Sequence, residues 1–158
     1  MKRTILILGL VMMANTGFSQ NDSLPKLTPY FSALIVSDME ASITWYSENF
    51  GFEVMNQVSS ETKKFKIANL KREGALLELI ELDSAITAKE LLKDQPQGAR
   101  LQGIFKIGFS VVDFDTWVAR LKATGVEFQG DVVIDKTSGK KMLIVKDPDG
   151  NRIQLFEA

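Results

Sequence analysis

The sequence predicts an α+β fold in which two tandem βαβββ modules form a curved mixed sheet around a cavity. Two observations carry that prediction. A strand and amphipathic helix near residue 30 recur near residue 106, and each helix is followed by three strand-like segments separated by turn residues. A third observation, alternation along the strands, predicts one sheet face under the helices and one free to line a site.

Two segments precede the modules. Lys2 and Arg3, the apolar run TILILGLVMMA, and the small residues Gly17 and Ser19 read as an export signal over residues 1–19, cleaved before Gln20. The run falls short of the roughly 20 residues that span a bilayer, so no stable membrane anchor is expected. The expected location is periplasmic or secreted. Residues 20–28, QNDSLPKLT, read as a flexible polar leader. Loss of Lys2 and Arg3 leaves 17 basic against 20 acidic residues, a net charge of −3 that does not favour a nucleic-acid partner.

The first module, about 29–83, opens with the strand YFSALIV (30–36). In SDMEASITWYSENFGF, Ser37 or Asp38 is placed to cap a helix whose Met39, Ile43, Tyr46 and Phe50 share one face. Gly51 is placed to end that helix. The strands FEVMNQVS, TKKFKIANLK and ALLELIELD follow. Residues 84–103 form a linker, with Thr87 and Glu90 as a capping-box pair for a short helix. The second module, about 104–158, begins with KIGFSVV (106–112). Asp113 is its expected cap, Phe114, Trp117, Val118 and Leu121 its buried stripe, and Gly125 its stop. EFQGDVVID, KKMLIVKD and RIQLFEA complete it, the last two joined by the turn DPDGN.

On the first strand Phe31, Ala33 and Ile35 oppose Ser32, Leu34 and Val36; on its repeat Lys106, Gly108 and Ser110 oppose Ile107, Phe109 and Val111. Phe31 and Lys106 thus hold equivalent places on the expected concave face. Absent residue types restrict the chemistry further. The chain has no Cys, which removes disulfides and thiol catalysis, and no His, which removes the commonest transition-metal ligand and general base. Any metal would need oxygen ligands.

The segments FSALIVSDMEASITWYSENFGFEV, LLELIEL, KIGFSV and DPDGNRIQLFE together resemble the vicinal oxygen chelate superfamily, which includes glyoxalase I, extradiol dioxygenases and bleomycin-binding resistance proteins. The resemblance spans about residues 29–158. It implies a divalent-metal site made by four side chains, at positions held here by Phe31, Glu78, Lys106 and Gln154. Only Glu78 is a ligand type; the expectation is therefore no metal and no cofactor, with Lys106 paired to Glu78 and Gln154 completing the polar contacts. The implied function is metal-independent binding of a small organic molecule, amphipathic or anionic, by Phe31, Glu78, Lys106, Arg152, Gln154 and Phe156, beside Leu76 and Ile80. A glyoxalase-like lyase or dioxygenase-related enzyme is the alternative that the resemblance carries. It also implies a homodimer.

Overall fold

A computed structural model describes residues 27–158; the expected export signal and nearly all of the expected leader lie outside the described residues. The first module contains β1 (Ser32–Val36), α1 (Met39–Phe50), β2 (Glu53–Ser60), β3 (Phe65–Arg72) and β4 (Ala75–Leu82). The short helix α2 (Ala88–Leu92) sits in the linker. The second module contains β5 (Ile107–Val111), α3 (Phe114–Ala123), β6 (Glu127–Phe128), β7 (Val133–Ile134), β8 (Lys141–Lys146) and β9 (Arg152–Glu157). The expected strand EFQGDVVID is divided into β6 and β7. Gly130 takes φ +85° between them, which turns the chain out of a continuous pleat.

The topologies repeat. The first sheet has the order β1-β4-β3-β2 and the second β5-β9-β8-β6, with β7 also paired to β8. In each, the first strand runs parallel to the last and the remaining pairs are antiparallel, so each sheet is mixed. The two sheets stay open.

The helices form where the sequence provides both an apolar stripe and terminal signals. Asp38 accepts the Ala41 N–H at 3.0 Å and caps α1, while Gly51 at φ +68° ends it in the left-handed conformation. In α2 the Thr87–Glu90 capping box is complete. Helices α1 and α3 pack on one core, in which Tyr46, Leu70, Leu77, Leu79, Leu121 and Leu155 are buried. Each such aliphatic side chain contributes about 1.5–3 kcal/mol of burial. An aromatic run joins the modules through this core: Phe50 lies 6.3 Å from Phe109 and 5.8 Å from Trp117, the latter pair stacked. The side of each sheet away from the helices therefore remains available.

Candidate functional site

Strand register determines which residues share that free side. Ala33 pairs with Glu78, and Glu78 with Asn69; in the second module Gly108 pairs with Gln154, and Gln154 with Ile144. Glu78 therefore holds in the first sheet the place that Gln154 holds in the second. Phe31 immediately precedes β1 and Lys106 immediately precedes β5; each register, continued by one residue, sets Phe31 level with Leu76 and Lys106 level with Arg152. The equivalences read from the sequence are those of the register.

Exposure differs sharply among these residues. Phe31 is 56% exposed and packs edge-on against Tyr30, and Ile35 is also exposed. Glu78 and Phe156 are half-buried. Gln154 is buried, and its Nε2 donates to Met142 Sδ at 2.9 Å. The expected Lys106–Glu78 ion pair is not among the salt bridges of the described residues. The reason is placement: Glu78 lies between Ala33 and Asn69 in one sheet, whereas Lys106 leads into β5 of the other.

Lys106 and Arg152 stand at the start of neighbouring parallel strands, and neither has a carboxylate partner among the described residues. Arg152 is held by neutral contacts instead. Its Nε donates to Gln129 Oε1 at 2.7 Å and its guanidinium lies 4.5 Å from the Phe105 ring centre. Lys146, next in the same row, pairs with Glu127. The free face of the second module thus carries a net positive row beside exposed Phe105 and half-buried Phe156.

The six predicted residues lie on the free faces of the two sheets or at their strand ends. A separate cleft of about 390 Å³ lies on the helix side, between the modules, and none of the six lines it. The sequence reading also missed Tyr46 and Asp147 as partners. Tyr46 donates its hydroxyl to Asp147 Oδ2 at 3.0 Å in the buried seam between modules. Burial, then the Asp147 carboxylate, pushes the Tyr46 phenol far above its ordinary range and keeps it a donor. Burial also raises Asp147, against the hydrogen bonds from Asn151 and Tyr46 that pull the other way. The Pro and Gly of DPDGN gave a turn signal, but nothing local to the motif signals a tyrosine 101 residues away.

A family model described as Glyoxalase/Bleomycin resistance protein/Dioxygenase superfamily matches residues 29–155. The chain belongs to that superfamily. An uncharacterized protein of Bacillus subtilis (strain 168), YwkD, is 29% identical over 79% of this chain and 92% of its own length. The glyoxalase family protein from Enterococcus faecalis aligns at a TM-score of 0.70 and 26% identity, over 82% of this chain and 97% of that one. The trypanothione-dependent glyoxalase I of Leishmania major aligns at a TM-score of 0.62 and 21% identity, over 84% and 87%. That last likeness concerns the fold.

The metal that the superfamily implies does not fit this donor set. Phe31 has no donor atom, Lys106 brings a positive charge, and the Gln154 amide is turned to Met142 through its nitrogen. Glu78 alone is a hard anionic ligand, and no group of three or more carboxylates able to hold a metal occurs among the described residues.

Proposed function

We propose that this superfamily member is an exported, metal-independent binding protein for a small amphipathic anion, held on the free sheet face. The observation that carries the proposal is the pair of cations at the start of β5 and β9, Lys106 and Arg152, both without a carboxylate partner among the described residues, with exposed Phe105 against the Arg152 guanidinium. An anionic head group satisfies the cations while an apolar body covers the rings. A second copy of the chain enclosing the face would remove this apolar surface from water.

The experiment is titration with 8-anilinonaphthalene-1-sulfonate and with its uncharged parent, N-phenyl-1-naphthylamine. The sulfonate is expected to bind more tightly by about tenfold, and Lys106→Gln with Arg152→Gln to erase that difference. Equal affinity for the two probes in the unaltered protein would overturn the reading. Calorimetry with zinc, nickel, cobalt and manganese is expected to give no stoichiometric binding, whereas Phe31→His, Lys106→His and Gln154→Glu together should create metal affinity with Glu78. Tight metal in the unaltered chain at a site containing Glu78 contradicts the metal-independent mechanism. Export predicts an intact mass beginning at Gln20 in protein from its own host, and the homodimer predicts twice the chain mass in light scattering.

A further inference from the structure

Among the described residues the modules meet at two seams, of which one is filled by a turn. Near the start of α1 the five-residue turn Asp147–Asn151 occupies the space: Asp149 accepts the Ser37 N–H at 3.1 Å and Asp147 holds the Tyr46 hydroxyl. Near the start of α3 the matching turn between β3 and β4 consists of Glu73 and Gly74 alone. The shorter turn leaves the cleft of about 390 Å³, walled by Phe52, Arg72, Gly74, Ala75, Phe109 and Trp117.

We propose that this cleft is a second binding site, for a small planar aromatic monocarboxylate. Its size lies at the low end of the roughly 300–1,000 Å³ common for ligand pockets, which suits a molecule of one or two rings. Phe50 and Phe52 form the buried floor of the cleft, while Phe109 and Trp117 remain half-buried and offer ring surface to an occupant. Arg72 supplies the charge. One of its amino groups donates to the Phe50 carbonyl and its guanidinium lies 4.9 Å from the Trp117 ring centre, so the fork is held in place. The nearest carboxylate, Glu73, stands 3.9 Å from Nε with its side chain 86% exposed, too far to use up the fork's donors. A planar guanidinium with free N–H groups matches a carboxylate. Arg72 is the single cation among the lining residues, and the one lining carboxylate, Glu73, points its side chain into water, so the cleft matches at most one negative charge. The cleft is on the helix side and independent of Lys106 and Arg152.

The test is titration of the full chain with 1-naphthoate and with neutral 1-naphthamide, followed by tryptophan fluorescence and amide NMR. Naphthoate is expected to bind with a Kd of about 0.1–1 mM, naphthamide about tenfold more weakly, with shifts at Gly74, Ala75 and the Trp117 indole N–H. A Cβ added at Gly74 meets no atom within 4 Å, so Gly74→Phe should fold normally, fill the cleft and abolish binding. Arg72→Gln should keep weak binding of both compounds and lose the preference, and Lys106→Gln should change nothing. The proposal is overturned by absence of saturable shifts at the cleft up to about 10 mM naphthoate, by equal affinity for the amide, or by shifts confined to the free sheet face.

Discussion

The two seams between the modules start from the same strand–helix unit and end differently. At the start of α1, three carboxylates each take a backbone N–H: Asp149 that of Ser37, Glu81 that of Met39 at 2.7 Å and Asp38 that of Ala41. At the start of α3, Asp113 makes no side-chain cap bond, and Glu157, the register equivalent of Glu81, accepts the Lys141 N–H instead. The difference originates in turn length. Five residues after β8 reach across and latch onto the other module; two residues after β3 do not. One seam is a joint, and the other has room for a ligand.

The strongest challenge to this comparison is removal of the latch. Asp147 accepts from the Tyr46 hydroxyl, the Asp149 and Asn151 N–H groups and the Asn151 side-chain amide, all within 3.0 Å. Asp147→Ala leaves the buried Tyr46 hydroxyl and its neighbours without that acceptor and should cost about 3 kcal/mol in urea unfolding. Tyr46→Phe removes one of the four bonds and should cost about 1 kcal/mol. Arg72→Ala at the open seam should cost less than about 1 kcal/mol, because it forfeits one bond to a helix end and a cation–π contact. Equal losses at Asp147 and Arg72 would erase the distinction between joint and cleft.

A smaller, pH-dependent effect sharpens it. The Asp147 carboxyl is raised above its ordinary value of 3.8, chiefly by burial, with the charge of Asp149 adding to the rise. Between the unfolded and folded values the native state binds more protons than the unfolded chain, so this group's contribution to stability declines as pH rises through that window. Below the unfolded value the contribution is fully present. The stability difference between the parent and Asp147→Asn should therefore favour the parent most at low pH and narrow as pH increases, measured by urea unfolding across a pH series. A difference that widens with pH would mean that the hydrogen bonds outweigh burial at this carboxyl.

Tandem modules, helix stops and the equivalence of Phe31 with Lys106 and of Glu78 with Gln154 were legible because each depends on local periodicity. Alternation places residues on a face whatever packs above it. The Lys106–Glu78 pair was not legible, because pairing across two sheets depends on how the modules sit, and the pattern within each strand contains no such information. Asp147 was missed for the same reason: its sequence neighbours spell a turn, while its partner Tyr46 belongs to the other module. EFQGDVVID failed as one strand where a single glycine interrupted an otherwise plausible run.

The least costly way to probe the asymmetry uses the two caps. Asp38 and Asp113 occupy the same position before their helices, and the sequence assigns both the same role. Asp38 has extended backbone angles, φ −141° and ψ 112°, from which its carboxylate reaches the Ala41 N–H. Asp113 sits at φ 55° and ψ 52°, in the left-handed region, and makes no such bond. Asp38→Ala should therefore cost about 1 kcal/mol, the usual value of a lost N-cap. Asp113→Gly should be neutral or should stabilise by a few tenths of a kcal/mol, since glycine adopts a left-handed conformation without the Cβ penalty while gaining some unfolded-state entropy. Paired thermal melts of the two variants measure the contrast directly. A loss at Asp113 equal to that at Asp38 would mean that the α3 terminus is capped in solution after all.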